Sequence, residues 1–147
     1  MLVSQNEALV QSVNALAYWS AVSGHTQSLL RQLVSDPETV DGYLERTRGS
    51  LARAYAKVCE GLEGLGIPYR PASAAFFVLC DFRDKLEAST WEAEHALWER
   101  LLNETNVNIT PGSACRVNEP GWFRLCYAAV PPAALEEAFR RLHELLG

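Results

Sequence analysis

A single arginine stands inside an apolar run, Trp122-Phe123-Arg124-Leu125-Cys126-Tyr127. A strand of this composition buries both faces, and an ionised group among such side chains is costly unless it is paired. The guanidinium stays protonated and offers a planar fork of donors, so its natural chemistry is bidentate capture of a carboxylate or phosphate. Two kinds of partner remain open at this point: one of the chain's own 18 acidic residues, or the acidic group of a ligand. The run is reached through Asn108-Ile109-Thr110-Pro111-Gly112-Ser113 and Glu119-Pro120-Gly121. Ser113 and Ala114 lie just past the Pro-Gly turn, where backbone N–H groups either approach an anion or close an ordinary turn. Asn108, Arg116 and Glu119 flank the same region and are candidates for the mouth of a site.

The remaining reactive side chains form no catalytic or metal pattern. His25, His95 and His143 share no ligand spacing with one another or with Cys59, Cys80, Cys115 and Cys126. The cysteines form no CxxC pair, and two fall in strand-like apolar runs, so reduced core thiols are expected. Ser23 and His25 lie two apart and do not face each other on a helix as nucleophile and base. Gly61, Gly64 and Gly66 stand at a helix end and in the wrong order for a dinucleotide fingerprint, and read as helix termination. Trp91 and Trp98, seven apart, read as a stripe against a core. The two lysines, Lys57 and Lys85, read as solvated surface residues.

Asn-Ile-Thr-Pro-Gly-Ser followed by Glu-Pro-Gly-Trp-Phe-Arg resembles the C-terminal signature of pyridoxal-phosphate enzymes of the class I/II aminotransferase superfamily. Within it the chain is most similar to 1-aminocyclopropane-1-carboxylate synthases and synthase-like proteins. Ser23-Gly24-His25-Thr26-Gln27-Ser28-Leu29-Leu30 and Leu33-Val34-Ser35-Asp36 resemble helices that follow the cofactor lysine. Gly66-Ile67 with Ala74-Ala75-Phe76-Phe77-Val78-Leu79-Cys80-Asp81-Phe82-Arg83 resembles the first strand of the small domain. The chain departs from the pattern at Arg116 and Val117, where plant synthases usually carry His and Cys, and at Ala75, where glycine is common.

The resemblance implies that Arg124 holds the α-carboxylate of an amino-acid substrate; Ser113, from its place just past the Pro-Gly turn, is a second candidate substrate contact. It implies pyridoxal phosphate as cofactor of the full-length family, bound by a large domain or subunit that this chain lacks. Neither Lys57 nor Lys85 matches the family's Ser-Lys context, so no catalytic, cofactor-binding or metal residue is assigned and the chain alone is expected to be inactive and free of cofactor. The assembled enzyme would convert S-adenosylmethionine to 1-aminocyclopropane-1-carboxylate or transfer an amino group. The alternative is a non-catalytic binding or structural module, or one half of a split enzyme, and an uncovered former interface would favour self-association.

A chain of 147 residues supports one domain, whose folding removes about 70% of the extended surface. Hydrophobic residues at 48% and charged ones at 21% describe a globular protein, not a disordered one. A net charge of -5 argues against a nucleic-acid partner. No apolar run approaches the roughly 20 residues a membrane helix needs, and no signal peptide is evident, so a cytoplasmic location is expected.

Arg124 must be positioned by alternating helices and short strands. Helices are expected over Gln5–Trp19 and Ser23–Leu33. A longer one is capped at Ser35 or Asp36, carries a stripe from Val40 to Leu65 and stops at Gly66. Ala74–Phe82 reads as a central strand, Ser89 with Glu92 as a capping box opening a helix through Leu102, and Val107–Thr110 as a short strand. Pro131-Pro132 opens a last helix. The expected class is α+β, about three strands in a small antiparallel or mixed sheet covered by helices.

Overall fold

The structure, a computed structural model, describes residues 3–147. The chain divides into two compact units, residues 1–45 and 46–147. In the first unit, Asn6 caps α1 (Glu7–Ala17) by accepting the Leu9 N–H, and Ser23 caps α2 (Gly24–Val34) by accepting the Thr26 N–H. Each cap satisfies one of the donors a helix start leaves unpaired. Neither helix has a buried residue, and Leu16, Trp19, Leu29 and Leu33 are exposed. Helix α3 (Pro37–Gly64) begins with proline in its first turn, as expected, and contributes Ala54, Val58 and Leu62 to the core of the second unit.

The second unit is a four-stranded antiparallel sheet in the order β1-β2-β4-β3, from β1 (Tyr69–Arg70), β2 (Phe77–Asp81), β3 (Thr110–Pro111) and β4 (Trp122–Cys126). The α+β class stands, with four strands where about three are expected. The extra strand, β1, is too short to show a period, and it forms because Tyr69 and Arg70 meet Cys80 and Leu79 across the sheet. Helices α4 (Trp91–Thr105) and α5 (Pro132–Leu146) complete the unit. Val78, Cys80, Phe123 and Leu125 of one sheet face are buried in a common core with Val58, Leu62, Leu97, Leu101, Leu135 and Leu142 of the helices. Phe82 and Phe123 meet edge-on at 5.0 Å within it, a geometry that adds about 0.5–1.5 kcal/mol beyond area burial.

Several local expectations shift: the strand expected over Ala74–Phe82 narrows to Phe77–Asp81, and the one expected over Val107–Thr110 forms at Thr110–Pro111. The α4 cap is Thr90, whose hydroxyl accepts the Ala93 N–H at 3.2 Å, so the Ser89-Glu92 box is out of register by one. Of the three glycines read as helix termination, Gly66, with φ +65, makes the left-handed stop. Gly61 instead lies inside α3 against Phe139, where a Cβ would come within 2.4 Å of the ring.

Candidate anion-binding face

Strand alternation sends Arg124 to the face opposite the core. Phe123 and Leu125 are buried on one side, and Arg124 is half-buried on the other. Register sets its neighbours: Leu79 on β2 and Thr110 on β3 are its direct partners, and Arg70 faces Leu79 from β1. Arg70, Leu79, Arg124 and Thr110 therefore form one row across the sheet.

The Arg124 guanidinium carbon lies 4.6 Å from the centre of the Phe77 ring. Its Nε is buried and makes no hydrogen bond. Among the described residues Arg124 forms no ion pair. The chain's own carboxylates thus leave this fork of donors open. The ring face offers a cation an attraction of about 0.5–2 kcal/mol but no acceptor for the Nε–H.

The neighbouring cations are arranged differently. Arg83 holds Asp81 through two bonds, Nε to Oδ1 at 2.8 Å and Nη2 to Oδ2 at 2.5 Å, and reaches Glu119 at 3.3 Å. The Arg83 guanidinium accordingly keeps the Asp81 carboxyl below its ordinary range. Two guanidinium groups lie over the Trp122 ring, Arg83 at 5.0 Å and Arg70 at 5.4 Å, and Trp122 donates its indole N–H to Glu119 at 2.9 Å. Trp122 is 6% exposed and stands two residues before Arg124 on β4.

Ser113 is in the short helical turn Gly112–Cys115, and its backbone N–H donates to Glu94 Oε1 at 2.9 Å. That amide is thereby occupied. Asn108 accepts the Trp98 indole N–H at 3.1 Å, and Arg116 takes a left-handed conformation, φ +56, at the end of the turn. Glu119 belongs to the Arg83–Trp122 cluster. Asn108 borders a cavity of about 370 Å³ with Arg124, Leu125 and the α5 residues Leu135, Phe139 and Leu142. Its lining omits Phe77, over which the guanidinium lies, and includes Leu125 of the core-facing side.

Lys57 pairs with Glu136, and Lys85 donates to the Leu146 carbonyl at 2.9 Å. Neither lysine is on the strands that carry the Arg124 row. Among the described residues all four cysteines are free thiols, and no group of three or more His, Cys, Asp or Glu is placed to hold a metal.

The residue that motif reasoning passes over is Glu94. It is fully buried, 0% exposed, on α4. Its Oε2 accepts the Gly121 N–H at 2.7 Å while Oε1 takes that of Ser113. The one sequence signal is its position in the α4 apolar stripe, three residues before Leu97 and seven before Leu101, where a carboxylate is out of place.

The sequence profile described as aminotransferase class I and II matches residues 1–142. Among curated proteins, 1-aminocyclopropane-1-carboxylate synthase 11 of Arabidopsis thaliana is 35% identical over 142 residues, covering 97% of this chain and 31% of that protein. The 1-aminocyclopropane-1-carboxylate synthase-like protein 1 of the same plant is 34% identical over 146 residues, covering 99% of this chain and 30% of its own length. Among solved structures, the aromatic aminotransferase from Pyrococcus horikoshii superposes with a TM-score of 0.68 at 26% identity, covering 78% of this chain and 29% of that one. The chain therefore spans about a third of the length of the relatives it matches.

Proposed function

We propose, from the premise that this chain belongs to the aminotransferase class I and II family, that residues 1–147 act as the C-terminal small domain of a larger enzyme and that Arg124 holds the α-carboxylate of its amino-acid substrate. The observation that carries the reading is the buried, unpartnered Nε of Arg124 beside an open guanidinium. A carboxylate bound bidentately would satisfy both nitrogens at once and fix the substrate's Cα relative to the reacting group. Leu79, Thr110 and the Phe77 ring would flank it, and Ser113 could add only its hydroxyl, because its amide is held by Glu94.

The family depends on pyridoxal phosphate, which supplies an electron sink for carbanion chemistry at the substrate Cα. The residues here do not fit that group. Its covalent attachment needs a lysine amine, and Lys57 and Lys85 are engaged by Glu136 and the Leu146 carbonyl, away from the Arg124 row. The reading thus requires a cofactor-binding large domain or subunit as partner. The exposed apolar side chains of α1 and α2 support such a partner, with self-association as the outcome in its absence. Free thiols and an acidic, globular composition are in keeping with a cytoplasmic location.

The curated relatives are synthases and the solved neighbours aminotransferases, so conversion of S-adenosylmethionine to 1-aminocyclopropane-1-carboxylate and amino transfer both stand as the assembled reaction. No helix of the described residues is long and apolar enough to cross a membrane.

Acetate is a sufficient probe of the clamp. In a titration followed by nitrogen-15 NMR, the Arg124 Nε–Hε resonance is expected to shift saturably, and Arg124→Leu to abolish binding. Acetate binding that survives Arg124→Leu would overturn the reading.

A further inference from the structure

We infer that Glu94 is a positioning residue for Arg124: its buried carboxylate ties together the two ends of the β3–β4 connection and so sets where the guanidinium strand lies. The inference rests on the reading of Arg124 as a carboxylate clamp. A carboxylate with no exposure and no cation beside it is an unusual element of a core. Here both oxygens are used by main-chain donors, Ser113 N at 2.9 Å and Gly121 N at 2.7 Å. Ser113 follows β3 by two residues, and Gly121 immediately precedes β4. One side chain from α4 thus closes the loop that separates Thr110 from its partner Arg124.

The surroundings are built to admit that carboxylate. A Cβ on Gly112 would lie 2.6 Å from the Trp122 carbonyl and 3.3 Å from Glu94 Oε2. Gly121 has φ +96, and a Cβ there would meet Arg83 Cα at 3.0 Å. The Gly121 carbonyl also accepts the Phe82 N–H at 2.8 Å, so the start of β4 is held from α4 on one side and from the end of β2 on the other. Strand β3 has only two residues, too few to fix a register by its own ladder. Arg124 is two residues into β4, so any shift of Gly121 is passed to the guanidinium.

The chemistry calls for a carboxylate in particular. Two acceptors face two N–H donors, and glutamine of the same size would turn its own NH₂ toward one of them. Glu94→Gln should therefore release one end of the loop while keeping the shape of the core. If the shift of β4 costs one charge-assisted hydrogen bond to the ligand, a loss of roughly tenfold in acetate affinity is expected for Glu94→Gln.

The test uses the whole chain with acetate as probe. Wild type, Glu94→Gln and Arg124→Leu are titrated by nitrogen-15 NMR, with unchanged β2 amide resonances as the sign that a variant is folded. In wild type, hydrogen exchange at the Ser113 and Gly121 amides is measured with and without saturating acetate. Positioning predicts that acetate slows exchange at both more than at the β2 amides, since coupling between the two sites is reciprocal. A group that merely stabilised the fold would leave exchange at these two amides slowed no more than at the β2 amides, which report the global effect of binding a ligand to the folded chain. Wild-type affinity in folded Glu94→Gln, with binding lost in Arg124→Leu, would overturn the role of Glu94 alone. If Glu94→Gln does not fold, exchange at Ser113 and Gly121 slowed by acetate no more than at the β2 amides would overturn it in wild type. Binding that persists in Arg124→Leu would remove the clamp and the positioning role together.

Discussion

The guanidinium of Arg124 lies 4.6 Å from the Phe77 ring centre, with its Nε buried and unpaired. A cation held by a ring and no carboxylate contributes little to stability, because desolvation of the unpaired donor offsets the ring attraction. Arg124→Leu is expected to change stability by less than about 1 kcal/mol, or to raise it, as a hydrophobe replaces an uncompensated charge. Urea melts of the two proteins measure this. A loss of several kcal/mol would instead reveal a carboxylate stranded by the substitution.

Ala75 adopts φ +65, a region that costs an L residue about 1–2 kcal/mol and glycine almost nothing. Its conformation is imposed from outside: the Tyr127 hydroxyl donates to its carbonyl at 2.8 Å, and Tyr55, its ring tilted against that of Tyr127 at 5.4 Å, accepts the Ala72 N–H. Ala75→Gly is expected to stabilise the chain by about 0.5–1 kcal/mol, the relief of strain exceeding the added freedom of the unfolded chain. Thermal melts check the sign.

Gly61 and Gly64 offer a matched pair within α3. A methyl group at Gly61 meets the Phe139 ring at 2.4–2.7 Å, whereas at Gly64 nothing lies within 4 Å. Overpacking costs about 1–3 kcal/mol and helix propensity returns at most ~1. Gly61→Ala should therefore destabilise by about 1–2 kcal/mol and Gly64→Ala stabilise by a few tenths to ~1. Denaturant midpoints of the two variants should move in opposite directions.

Burial pushes the Cys80 thiol up to about 12, the nearby Cys59 adding to the effect. Its neutral form is favoured in the folded chain. The associated stability is complete below the ordinary thiol value near 9 and is lost as pH rises from there toward 12. Cys80→Ala should flatten the fall in stability over that window by one proton's slope. Native-state alkylation should leave Cys80 the slowest of the four thiols, and all four should react in denaturant without reductant.

Helices were legible in the chain because their signals are local. Periodicity and caps locate α1, α2, α3 and α5 to within a residue or two, and the nearly apolar run Ala74–Phe82 contains β2, which is shorter, at Phe77–Asp81, with Ala75 at a positive φ before it. The isolation of Arg124 was legible too, since a charge among Trp, Phe, Leu and Cys needs no structure to be noticed. What the chain alone left open was every feature made by residues far apart. Strand β1 exists only because β2 offers it an edge, and Gly61 looked like a helix stop until α5 set Phe139 against it.

The site divides along the same line. Residue type determined that Arg124 would seek an acid. Only the tertiary structure decided that no carboxylate of the described residues reaches it, that Asp81 is held by Arg83, and that Glu94 spends both its oxygens on the Ser113 and Gly121 amides. Hydrogen bonds and ion pairs depend on distances of a few tenths of an ångström. Those distances are set by how sheet and helices meet, which periodicity along the chain does not contain.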